Sequence, residues 1–304
     1  SMVKGFQTDD LSSPAAIASC VKHFAGYGAS ESGRDYNATN IPENELRNVY
    51  LPPFQQAAKA GVASFMTSFS DLNGVPATGN RWLLKQVLRD EWNYQGLVVS
   101  DWESIKELQV HGLSASQKES AYLAAKAGVD MEMASHCYID NMADLIAENQ
   151  LNQAEVDQMV LNVLHLKFAL GLFENAFTDA SVLPQLMNAQ NLQVAKEAAQ
   201  KSCVLLQNKK RHGNTPVLPI NRGSTQRIAV IGPMAHDGYE QLGTWVFDGE
   251  EKHSVTCLSG LKALAGQSIA IEFESVLCTS RDSNTQHFDK ALELTNNADV
   301  AILY

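Results

Sequence analysis

The 304-residue sequence holds no apolar run near the roughly 18–20 residues that cross a bilayer, so no membrane-spanning helix is expected. It is short of basic residues, with 23 Lys and Arg against 34 Asp and Glu and a formal net charge of −11 at pH 7. A surface of that sign repels phosphate backbones, which argues against nucleic acid as a partner. No Lys/Arg-rich run or basic amphipathic stretch is present to engage an anionic membrane. Cysteine is sparse and odd in number: Cys20, Cys137, Cys203, Cys257 and Cys278 are widely spaced and include no CxxC pair. That argues against a disulfide-stapled scaffold and a structural zinc site, and leaves the redox compartment open. Cys20 and Cys203 lie in apolar runs and are expected to be small core residues. His111, His136, His165, His212, His236, His253 and His287 are scattered, without HExxH or other ligand spacing, so no metal is expected. A GxGxxG turn, a P-loop, internal repeats and low-complexity tracts are all missing. The opening residues, Ser-Met-Val-Lys-Gly-Phe, lack signal-peptide character.

What is present is ordinary globular composition, 45% hydrophobic and 19% charged, in a length suited to one large α/β domain and part of another. Residues 1–175 alternate strand-like and helix-like segments. Ser12-Ser13-Pro14 before Ala15 to Ala18 predicts a capped helix with proline in its first turn. Cys20 to Phe24 follows as a short strand. Glu43 to Ala60 is helical in pattern but kinked or split by Pro52-Pro53. Val62 to Phe69 reads as a strand, and Arg81 to Glu91 as an amphipathic helix. Gly96-Leu97-Val98-Val99-Ser100-Asp101 is a continuous apolar strand of the kind buried on both faces. A helix through Glu119 to Ala127, a strand Val129 to Met133, and helices Asp140 to Asn149 and Ala154 to Gly171 complete the series.

This alternation predicts parallel strands with helical crossovers. Their C-terminal ends carry Lys22-His23, Ser68, Asp101 and Glu132. A (β/α)8 barrel gathers its site at that face; a doubly wound sheet would also, but its phosphate-binding turns are missing. Only about four βα units are legible where a barrel needs eight. The expected fold is therefore an incomplete TIM-type barrel, completed by more chain or another polypeptide; the family resemblance given below implies that it is the C-terminal half of a (β/α)8 barrel. A connector, residues 176–226, leads to the start of a second α/β unit at 227–304, with strands at Arg227 to Ile231, Ile269 to Phe273 and Asp299 to Tyr304.

Asp101 is the strongest chemical candidate, an ionisable group at the mouth of an apolar strand. Trp102 beside it offers a flat face on which a sugar ring can stack. The alternative is that Asp101 caps the next helix, whose first turn holds Glu103. Lys22-His23 could hydrogen-bond sugar hydroxyls; a Schiff-base lysine or a salt bridge are the competing readings. Arg34-Asp35 lies in the loop after that strand, as a local ion pair or a supporting part of the site. Phe65 and Met66 fit a packed strand and are assigned to the core.

With these residues in view, the sequence resembles glycoside hydrolase family 3, in particular its bacterial periplasmic β-glucosidases. Lys22-His23-Phe24-Ala25-Gly26-Tyr27-Gly28, Phe65-Met66-Thr67-Ser68-Phe69, Gly96 to Trp102, Ala127 to Met133, Lys167 to Phe173, Ser202 to Asn208, Leu218-Pro219-Ile220 and Ile228 to Pro233 match its segments in order. The resemblance implies that Asp101 is the nucleophile, that Lys22 and His23 bind the sugar of subsite −1, and that Trp102, Arg34 and Phe69 line the site. It implies retaining hydrolysis of β-linked glucosides or short oligosaccharides, no cofactor, and a periplasmic or secreted location; a homo-oligomer stays open. The family's acid/base glutamate usually follows a strand like Asp299 to Tyr304, so it is expected beyond Tyr304. Its early-strand sugar-binding aspartate has no counterpart here. Tyr27 stands where N-acetylglucosamine-specific members carry a catalytic His, and Phe69 where a tyrosine is common. A β-xylosidase, a non-catalytic sugar-binding relative and a lysine-dependent barrel aldolase remain as alternatives.

Overall fold

The computed structural model describes residues 1–177, 179, 181, 187–210 and 216–304; His212 and parts of the 176–226 connector lie outside the described residues. The chain packs as two units, residues 1–186 and 187–304.

In the first unit, helix α1 (Met2–Gln7) precedes strand β1 (Cys20–Phe24). The buried Gln7 amide bonds Gly61 O at 2.9 Å and accepts from Ser19 N at 3.2 Å and Ala63 N at 2.9 Å. The helix expected over Ala15 to Ala18 is instead a set of turns. Asp10 Oδ1 accepts from Ser12 N at 2.9 Å and from Ser12 Oγ at 2.7 Å, and Ser13 Oγ accepts from Ala15 N at 3.3 Å. Such local side-chain bonds offer the backbone an alternative to the helix.

Next come α2 (Glu43–Glu45), a π-helical turn (Leu46–Tyr50) and α3 (Leu51–Lys59). Proline falls in the first turn of α3, where its missing N–H costs least, so the segment is split just ahead of Pro52. Strand β2 (Ser64–Thr67) and a tiny antiparallel pair, β3 (Asp71–Leu72) with β4 (Val75–Pro76), lead to a π-helix over Trp82–Glu91. Strand β5 (Leu97–Trp102), helices α4 (Ser104–Glu107) and α5 (Gln117–Ala127), strand β6 (Met131–Met133) and helices α6 (Cys137–Ala147) and α7 (Gln153–Ala169) follow.

The four main strands form one parallel sheet in the order β1-β2-β5-β6. Phe24, Phe65, Leu83, Leu88, Val98 and Leu108 are fully buried around it. Phe65 and Met66 are in the core as read from sequence, but Cys20 and Cys203 are exposed. Cys20 starts the edge strand β1, and Cys203 ends helix α8 (Ala189–Ser202), which has no buried residue.

A carboxylate anchors the N-terminal end of this sheet. Asp130 Oδ2 accepts from Val98 N at 2.8 Å and pairs with Arg89 at 2.7 Å, while Oδ1 accepts from Asn162 at 2.8 Å. Arg89 also donates to the carbonyls of Tyr94 at 3.0 Å and Gly96 at 2.6 Å. Burial holds the Asp130 carboxyl above its ordinary range even so, with Arg89 opposing.

The second unit contains α8 and a three-stranded parallel sheet in the order β8-β7-β9, with β7 (Arg227–Ile231), β8 (Ala270–Glu274) and β9 (Val300–Leu303). Helices α9 (Cys257–Ala265) and α10 (Phe288–Asn296) accompany it. At the end of β7, Gly232 has φ +116°, and a Cβ there would stand 2.2 Å from the Tyr304 carbonyl oxygen.

Removing Arg89 strands a buried charge. Arg89→Met should destabilise the first unit by about 3–5 kcal/mol, read from denaturant unfolding, whereas Lys118→Met at an exposed pair should cost about 1 kcal/mol or less.

Candidate active site

Both strands that carry the sequence-read residues depart from regular pairing at those residues. Along β1, Val21 pairs with Phe65 and Phe24 with Thr67, so β1 spends one residue more than β2 over Lys22-His23. Along β5, Val99 pairs with Met131 and Trp102 with Met133, giving the same excess over Ser100-Asp101. Such bulges re-aim side chains at strand ends. Ser100 fills the broken ladder, accepting from Met133 N at 2.9 Å and donating to Asp101 O at 2.9 Å. The peptide bonds Lys22–His23 and Phe24–Ala25 are cis.

The two bulged segments meet. His23 Nε2 lies 3.3 Å from Asp101 Oδ2. Asp101 is 5% exposed, and its two oxygens differ. Oδ1 accepts from the Trp102 amide at 2.7 Å, while Oδ2 is buried with no aligned donor among the described residues. His23 stands close to Oδ2 but makes no directed hydrogen bond to it. Asp101 caps no helix, because α4 starts at Ser104 and has Glu103 at its N-cap. Burial, then the nearby Lys22 charge, lowers the His23 pKa, with Asp101 and Asp35 opposing. The imidazole is thereby kept neutral at neutral pH.

Phe69 is half-buried, its ring centroid 6.5 Å from that of His23. Lys22 is exposed beside His23 and makes no ion pair among the described residues. Trp102 is 64% exposed. Thus His23, Asp101 and Phe69 converge, while Lys22 and Trp102 flank them through the chain. Arg34 forms no ion pair with Asp35 or Asp101. Two other strand-end groups are structural. The Glu132 carboxylate accepts from Cys137 N at 2.8 Å and Tyr138 N at 2.7 Å, holding the start of α6, and Ser68 Oγ bonds Ser70 Oγ at 2.9 Å. Beneath the site the buried hydroxyls of Thr67, Thr78 and Ser104 link β2 to α4 through bonds of 2.8 and 2.9 Å.

Tyr27, singled out in the sequence, packs on His23 with ring centroids 4.7 Å apart. The structure adds Tyr36 and Glu107, which carried no separate signal in the sequence, and Tyr36 packs on Phe69 at 4.4 Å. Glu107, at the end of α4, has a buried Oε2 without a hydrogen-bond partner, and burial, then Glu103 and Asp101, raise its pKa. It lies six residues beyond Asp101, but nothing in the spacing pointed it inward. Among the described residues no three His, Cys, Asp or Glu side chains gather as metal ligands.

A parallel sheet with its polar strand ends drawn together at one face defines an α/β protein with its site at the strand C-termini. Residues 1–166 match the glycosyl hydrolase family 3 N terminal domain, and residues 203–304 match that family's C-terminal domain. The chain belongs to glycosyl hydrolase family 3. It is 37% identical over 276 residues to a periplasmic beta-glucosidase of Salmonella typhimurium, covering 89% of this chain and 35% of that protein. A beta-xylosidase of Formosa agariphila is 31% identical over 309 residues, covering 94% of this chain and 41% of its own length. The crystal structure of a beta-glucosidase from Listeria innocua in complex with glucose superposes with a TM-score of 0.87 at 35% identity, over 99% of this chain and 40% of that one. The chain therefore spans between a third and a half of the length of these relatives.

A carboxyl whose pKa is raised on folding stabilises the fold as the acid. That contribution is complete below the unfolded value of 4.5 and is lost as pH rises through the folded value. Glu107→Gln should therefore raise the thermal midpoint at about pH 7, with the gain vanishing near pH 4.

Proposed function

We propose that the protein to which this chain belongs is a retaining, exo-acting β-glycoside hydrolase, a β-D-glucosidase that releases glucose from the non-reducing end of β-glucosides. The observation that carries this reading is the asymmetry of Asp101. One carboxylate oxygen is tied to the Trp102 amide, and the other is buried, unbonded and beside His23. A buried carboxylate oxygen without a donor is costly as structure, and catalysis is one of the few reasons to keep it. The likeness to beta-glucosidases, one of them solved with glucose, supports the substrate class.

In this mechanism Asp101 Oδ2 attacks the anomeric carbon and forms a glycosyl ester. A second carboxyl, about 5–5.5 Å away in retaining enzymes, protonates the leaving oxygen and then activates water. That role is assigned to none of residues 1–304. Lys22 and neutral His23 hold hydroxyls of the bound sugar, with binding strengthened at the transition state. Trp102, exposed next to the nucleophile, lines the acceptor side, and Phe69 and Arg34 complete the surroundings. No cofactor enters the reaction. A periplasmic or secreted location accords with the periplasmic relative. A β-xylosidase is the second reading, favoured by the 31% identity to one; aryl β-glucosides and β-xylosides tested side by side separate the two.

Asp101→Asn in the complete enzyme should abolish turnover and leave the fold intact, since an amide cannot form the glycosyl ester. A 2-fluoro glycoside should label the Asp101 peptide of the wild type and not the variant. Labelling of another carboxylate, or near-normal activity in Asp101→Asn, overturns the assignment.

A further inference from the structure

The loop after β1 carries a carboxylate with no part in the mechanism above. Gly26 leaves the strand at φ +82°, where a Cβ would come within 3.0 Å of Ile41 Cδ1, and the chain turns back so that Asp35 faces Tyr27. Asp35 Oδ1 accepts a hydrogen bond from the Tyr27 hydroxyl and another from the Tyr36 amide at 3.0 Å. Each of those tyrosines lies against a residue of the site. Tyr27 covers His23 at 4.7 Å, and Tyr36, 47% exposed with φ +63°, covers Phe69 at 4.4 Å. The rings of Tyr27 and Phe69 are themselves 6.1 Å apart, so the four form one cluster. A non-glycine residue at such a φ needs something to hold it, and the Asp35 carboxylate is the group that does. Arg34, the expected partner of Asp35, leaves it free for this work.

We infer that Asp35 is a positioning residue: through the Tyr27 hydroxyl it fixes the His23 imidazole against Asp101, and through the Tyr36 amide it fixes the ring over Phe69. The inference rests on the glycosidase reading for its effect on turnover but not for its effect on His23. Asp35 touches neither Asp101 nor the place of the reacting carbon; it acts on the wall that shapes them. A side chain placed by contacts on both faces loses its productive geometry when one is removed, and a displacement of about 1 Å can cost on the order of 10²-fold in rate.

The test uses the full-length enzyme with an aryl β-glucoside. Asp35→Ala should lower kcat/KM by about 10²-fold. Asp35→Asn should restore most of it, because the amide oxygen can accept both hydrogen bonds. Tyr27→Phe, which keeps the ring and removes the hydroxyl, should fall in the same direction as Asp35→Ala. The decisive measurement is a cycle with His23→Ala. If Asp35 acts through His23, Asp35→Ala should cost little more once His23 is gone. Losses that multiply in the double variant, or an Asp35→Ala enzyme equal to wild type, overturn the proposal. Should Asp35→Ala fail to fold, the Tyr27→Phe and His23→Ala cycle asks the same question. His23 ring resonances give a readout without turnover. They should move in Asp35→Ala and return in Asp35→Asn, and unchanged resonances refute the role. If the wild type hydrolyses no aryl β-glycoside, the glycosidase reading fails, and the His23 resonances alone decide the place of Asp35.

Discussion

Asp130 is the carboxylate on which the arrangement of the first unit hangs. A charge so placed must be paired, and its partners come from three separate elements: Arg89 of the π-helix, the Val98 amide of β5 and Asn162 of α7. Satisfying one side chain thus fixes where β5 begins, which helix lies behind it, and how α7 returns. The far end of β5 is then free to depart from regularity. The network sits at the N-terminal end of the sheet, the end that stabilises barrel proteins, while Asp101 sits at the other.

At that other end the backbone is deliberately irregular. Each of the two site strands holds an extra residue, and each excess coincides with a pair of polar residues. The Ser100 hydroxyl replaces the ladder bond that the bulge in β5 removes, which keeps the distortion local. The surroundings of His23 are aromatic, with His23, Tyr27, Tyr36 and Phe69 in one cluster. The Asp101 oxygen beside His23 is itself buried, and a buried setting strengthens any charge interaction formed there.

The parallel sheet was legible because βα alternation and short apolar strands admit few other topologies, and the likeness to family 3 supplied the order of the segments. Asp101 and His23 were legible for the same reason, since strand C-termini share a face in any such sheet. What escaped reading depended on bonds between residues with no periodic relation. Tyr36 reaches the site because the loop folds back to set Asp35 on Tyr27, and Glu107 stood out only through the burial of its carboxyl at the end of α4. The missing helix before β1 illustrates the converse. Ser12-Ser13-Pro14 has the composition of a helix start, but Asp10 reaches forward to Ser12 and diverts the backbone into a turn.

One bond in the site bears on how the protein could diversify. The orientation of the Asp101 carboxylate is set by the main-chain amide of residue 102, and the indole at that position points largely away, 64% exposed. Every amino acid except proline offers the same amide. The side chain at position 102, and with it the surface beside Asp101, can therefore change while the carboxylate keeps its orientation. In the proposed mechanism that separates selectivity, carried by a side chain, from reactivity, aimed by the backbone.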